Sequence, residues 1–192
     1  MRKIVFCLLC LFLPFSVLAD SPLTSTDFTP GYPKSKNVML AKQSGGKINA
    51  KLLKFLKGKG AIGEKIAVIN ALGWGENAMD NALQIQQALG SKSPDAEQYC
   101  LLAYAYALGN YFEVSKALEY SNAAIAMGSK SYTVHLVNAL IRAQIYMDDG
   151  STWCQVYRVC DDVRMNKDLV KDLPEASIVS VFSYIELYKD NC

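Results

Sequence analysis

Residues 94–128 read PDAEQYCLLAYAYALGNYFEVSKALEYSNAAIAMG, and this stretch decides the fold. Ser93 suits the cap of a helix and Pro94 its first position, while Asp95 and Glu97 put negative charge at the positive helix end. The apolar period then predicts a helix to Leu108, ended by Gly109. A second helix is expected from about Tyr111 to Met127, ended by Gly128. Ala103, Ala117, Ala123 and Ala124 are small enough to let two antiparallel helices approach closely, with larger side chains filling the space beside them. The unit is a helical hairpin.

The same grammar extends outward. Asn49 can cap a helix running to Lys57 with Gly58 as terminator, followed by helices over Gly63–Leu72 and Asn77–Leu89, stopped at Gly73 and Gly90. Further on, helices fit Thr133 to Met147, Ser151 (as cap) to about Asn166, and Pro174 to about Tyr188. No alternating stretch bounded by hairpin turns occurs, so the expected class is all-α. The pattern also repeats. Ala71-Leu72-Gly73 and Ala107-Leu108-Gly109 lie 36 residues apart, and Gly-Ser-Lys-Ser occurs at 90–93 and again 38 residues later at 128–131. That period is the length of one helical hairpin with two short turns.

Tyr99, Leu102, Ala103 and Tyr106 resemble the first helix of a tetratricopeptide repeat. Ala117-Leu118-Glu119-Tyr120 followed by Ala123-Ala124-Ile125-Ala126-Met127-Gly128 looks like the second helix of a Sel1-like repeat. The resemblance is clear over 94–128 and faint over 61–90 and 131–166. The turn is about two residues longer than a tetratricopeptide turn, and the usual closing proline is missing. The resemblance implies antiparallel hairpins stacked as a short right-handed solenoid, whose usual work is binding a protein or peptide. It also implies that Tyr99, Leu102, Ala103 and Tyr106 pack on the partner helix. Glu97, Cys100, Tyr104 and Leu108 would then face the ligand groove, unless an adjoining helix fills it.

Catalytic chemistry has few parts. His135 is the lone imidazole and begins a helix with an apolar stripe, where a surface histidine is expected. Asp148/Asp149 and Asp161/Asp162 are neighbours that point in different directions on a helix and do not match a calcium loop. Gly73-Trp74-Gly75 precedes no phosphate-cradling motif. A non-enzymatic protein without cofactor or metal is the expectation. Ile48, Leu52, Phe55 and Leu56 share one face of the early helix, with Lys47, Lys51 and Lys54 on another. A first packed helix with its lysines in water is the expected use of this face. The alternative is peripheral contact with an anionic lipid or envelope surface.

Residues 1–19 read as a cleaved signal peptide. Arg2 and Lys3 precede an apolar run from Ile4 to Leu18, and Val17-Leu18-Ala19 supplies the small residues of a cleavage site. No transmembrane segment is expected in the mature chain, and the expected location is periplasmic or secreted. Residues 20–46 are read as a polar N-terminal arm and 47–192 as one helical repeat domain. The full chain has 192 residues, 51% hydrophobic and 20% charged, which excludes disordered and collagen-like classes. Arg2 and Lys3 leave with the signal, so 18 basic residues remain against 18 acidic ones. A neutral exported chain with only Arg142, Arg158 and Arg164 is no expected partner of nucleic acid. A protein or peptide partner is expected. The alternatives are the envelope contact, immunity against a toxin and, last, a cell-wall enzyme.

Cys100, Cys154, Cys160 and Cys192 remain in the mature chain. Six residues along a helix rise ~9 Å, beyond disulfide reach, so Cys154 and Cys160 should not bridge each other. An antiparallel hairpin turning near residue 170 brings Cys192 within a turn of Cys154. The expected bridge is Cys154–Cys192, with Cys160 buried on the apolar side of its helix.

Overall fold

The computed structural model of the chain describes residues 21–90, 94–148 and 153–192. The expected signal peptide, and the expected caps Ser93 and Ser151, lie outside them. Cys100 to Leu108 are buried one after another along α5 (Ala96–Gly109), so every face of this helix must meet another element. Its N-terminus is fixed two residues later than expected: Asp95 caps it, and Gln98 returns a bond to the Asp95 amide in a capping box. Gly109 is the last residue of the helix rather than a stop beyond it. A Cβ there would lie 3.1 Å from Met79 Cα, so glycine serves close approach of α4 (Ala78–Leu89).

Around α5 stand α3 (Ile62–Leu72), α6 (Ser115–Ala126) and α7 (Tyr132–Asp148), together with α4. The helices α3, α5 and α7 all touch one another. On the outside, α2 (Ala50–Lys57) packs on α4, and α8 (Trp153–Met165) packs on α7. Asn49 caps α2 through its side chain, as its position promised. Tyr99 and Tyr106 of α5 pack against Tyr120 of α6 with ring centroids 6.1 and 5.6 Å apart. The start of α6 is later than expected, because Tyr111 and Phe112 belong to the turn before it. Among the described residues the sole β-type pairing is an isolated bridge between Ser131 and Val170. The protein is all-α, with its helices packed against their neighbours.

The N-terminal segment corrects the expected polar arm. Leu23 and Phe28 are fully buried, and α1 (Lys36–Lys42) adds Val38 and Ala41 to one core that runs from Leu23 to Tyr188. These apolar residues are scattered among prolines and hydroxyls, so no period exposes them in the sequence. Two asparagines hold the segment by its backbone. Asn70 Oδ1 accepts from Phe28 N at 2.9 Å while its Nδ2 donates to Thr26 O at 3.3 Å. Asn81 repeats the device on Ile48 N and Gly46 O, at 2.9 and 2.8 Å. Each amide binds the N–H of one residue and the C=O two residues earlier, as a neighbouring strand would.

At the other end, α9 (Glu175–Ile185) leads into a 3-10 turn, Glu186–Asn191, that lies against α8. Cys154 and Cys192 stand at disulfide distance, with Cα atoms 4.8 Å apart and 38 residues between them in sequence. Cys160 and Cys100 are free and buried. No helix among the described residues is long and apolar enough to cross a membrane. Replacing Cys192 by serine should lower unfolding free energy by about 3–4 kcal/mol in the chain-entropy account, measured by urea titration of oxidised protein.

Candidate functional site

The expected groove residues do not line an open groove. Cys100, Tyr104 and Leu108 are buried, and the N-terminal segment covers Tyr104. The Phe28 ring meets Tyr104 edge to face, centroids 5.5 Å apart. Asn70 Nδ2 donates to the Tyr104 hydroxyl at 3.0 Å. Ser177 of α9 then locks the cover: its Oγ donates to Phe28 O at 2.6 Å and accepts from Gly31 N at 3.1 Å. A Cβ on Gly31 would collide with Ser177 Oγ and Pro174. Burial pushes the Cys100 thiol and the Tyr104 hydroxyl well above their ordinary values, so neither is poised to ionise. Glu97 alone of the four is exposed; its carboxylate lies 3.9 Å from the ammonium of the buried Lys65.

Lys47, Lys51 and Lys54 are all exposed, while Ile48, Leu52 and Leu56 are buried in the core. The apolar side of α2 therefore packs on the core, with Leu53 and Phe55 half-buried beside it. His135 is half-buried and places Nε2 2.9 Å from Ser129 O. A carbonyl only accepts, so Nε2 donates and the ring closes the α6–α7 turn. Among the described residues no three His, Cys, Asp or Glu side chains group as a metal site requires.

One open cleft, of about 390 Å³, lies between α6, α7 and α8. Arg142 on α7 and Arg158 on α8 face it, with His135 and Asn138 along one wall and Asp162 on the other. Both arginines are exposed, and neither makes an ion pair among the described residues. Arg142 Nη2 donates to the Tyr146 hydroxyl at 3.0 Å, which steadies the guanidinium at the cleft edge. Beyond Arg142 and Tyr146 a second depression of about 230 Å³ continues over Leu118, Asn122 and Ile145. The third arginine is used differently. Arg164 bonds Asp161 and Glu186 and lies over the Phe182 ring at 4.5 Å, tying α8 to α9.

Asn138 adds a fixed amide to the cleft. It is buried, and its Nδ2 donates to Ser121 Oγ at 2.9 Å and Asn122 Oδ1 at 3.0 Å. Sequence reading missed this site because Arg142 and Arg158 sit on separate helices at no motif spacing. A usable signal was present in the scarcity of arginine after residue 19. The chain matches no family model, no curated protein and no solved structure.

Two outcomes follow from this geometry. Burial, with Glu64 and Asp172 adding to it, pushes the Tyr32 hydroxyl up to about 12 from an ordinary 10.0, and burial does the same for Tyr132. The unfolded chain therefore loses these protons first, so their contribution to stability is complete below pH 10 and disappears as pH rises toward about 12. Urea midpoints should fall across that window, with tyrosinate absorbance lagging that of the unfolded chain. In the second test, residues 20–192 should stay in the supernatant when spun with anionic vesicles at physiological salt.

Proposed function

We propose that this protein is an exported, non-enzymatic binding module, built as a short right-handed stack of hairpins of the tetratricopeptide and Sel1-like kind. Its partner is a protein or peptide that presents carboxylates to the α6–α7–α8 cleft. The observation that carries this reading is the pair of arginines, Arg142 and Arg158, facing one open cleft without ion-pair partners among the described residues. A guanidinium presents a planar fork of donors matched to a carboxylate, and two of them across a cleft define both charge and spacing of the ligand. Asn138 and Gln155 offer further polar contacts in the same walls. The neighbouring depression over Leu118 and Ile145 suits an apolar residue of the same segment.

Export is supported by the signal-like first 19 residues and by the cysteine pair at disulfide distance. The test is affinity capture from the exported fraction with immobilised residues 20–192. One stoichiometric protein should be retained, with affinity that falls as salt rises. Reversing either charge, Arg142→Glu or Arg158→Glu, should weaken binding by about 30-fold or more, the effect of losing ~2 kcal/mol at a contact arginine. Unchanged capture by both variants would remove the cleft from the reading.

A further inference from the structure

The turns after α3 and α5 carry an exposed aromatic cluster that neither the core nor the arginine cleft uses. Trp74 and Tyr111 lie 37 positions apart in sequence, one repeat period, and the fold brings them side by side. Their rings meet edge to face with centroids 5.6 Å apart. Phe112 leans on Tyr111 at 4.3 Å, and the two planes splay by 35°. Trp74 is 40% exposed and Phe112 75%, a costly display for a soluble turn. Together they border a cleft of about 370 Å³ that Gly75 and Gly109 also line.

Charge separates this cleft from an ordinary apolar patch. Glu76 is its one acidic lining residue, and no basic side chain lines it. The nearby Glu113 is already committed, because its carboxylate accepts the Ser115 amide at the start of α6. Aromatic faces carry negative quadrupole density, so a shelf of three rings beside a free carboxylate favours a cation. The chain applies this chemistry to itself nearby: the Lys116 ammonium sits 4.3 Å from the Tyr106 ring centroid.

The geometry points to Trp74, Tyr111, Phe112 and Glu76 as a site for an organic cation, presented as an arginine or lysine side chain of a partner polypeptide. A free quaternary ammonium fits less well. Small ligands are held by burying most of their surface, and this shelf is open on the Phe112 side. A cation carried on a larger body needs only one face covered, because the partner covers the rest. The site shares no residue with the arginine cleft, so either can fail without the other.

Trp153→Phe leaves Trp74 as the sole tryptophan and makes its fluorescence the readout. That variant would be titrated with an arginine-rich decapeptide, the same peptide with citrulline in place of arginine, and choline. The expected result is a saturable Trp74 response to the arginine peptide and none to the citrulline peptide. Glu76→Gln and Phe112→Ala, both exposed and checked for native circular dichroism, should each weaken binding by about fivefold to tenfold. Equal response to the uncharged peptide, unchanged affinity in both variants, or choline binding as tightly as the peptide would overturn the inference.

Discussion

A phenol hydroxyl sits at the centre of an apolar core, and the arrangement of the chain ends follows from the need to satisfy it. Tyr104 is fully buried on a helix that is itself buried all round. Leaving its hydroxyl without a partner would cost about 1–3 kcal/mol. Asn70 meets that need from α3, and the same amide holds the Phe28 amide and the Thr26 carbonyl. Phe28 then closes over the ring, and Ser177 fastens Phe28 to α9. Tyr104, Asn70, Phe28 and Ser177 thus form one chain of contacts that joins α5 to α3, the N-terminal segment and the last helix.

The secondary structure was legible because its punctuation is local. Asn49, Gly73, Gly90 and Gly128 each mark a helix boundary, and the last three adopt positive φ where a side chain would strain the turn. Boundaries failed where tertiary contact took over the residue. Gly109 faces Met79, and Tyr111 and Phe112 turn outward in place of opening α6. The cysteine register was legible too, because rise per residue and hairpin length are simple geometry. It required only that α9 fold back along α8.

The face of α5 that the resemblance assigns to a groove is filled for a physical reason visible in the residues themselves. A repeat helix that keeps an open ligand face needs polar groups there, but α5 carries Cys100, Tyr104 and Leu108 on that side. A helix apolar on every face is a buried helix, whatever its family resemblance. The covering segment left no periodic trace, since Leu23 and Phe28 are lone apolar residues among Pro, Ser and Thr. The arginine cleft and the aromatic shelf are assembled by packing, from residues 16 and 37 apart in sequence. Only the scarcity of arginine and tryptophan hinted at them.

Ser177 of α9 holds Phe28 of the N-terminal segment across 149 residues of sequence. An open array of hairpins can grow by duplicating a unit, since each unit contacts only its neighbours. Here an inserted hairpin would carry Phe28 and Ser177 apart and uncover Tyr104. A hairpin inserted between them is therefore opposed by that contact. Variation in this chain has room in the turns and on the outer helices, while the spacing between Phe28 and Ser177 is held.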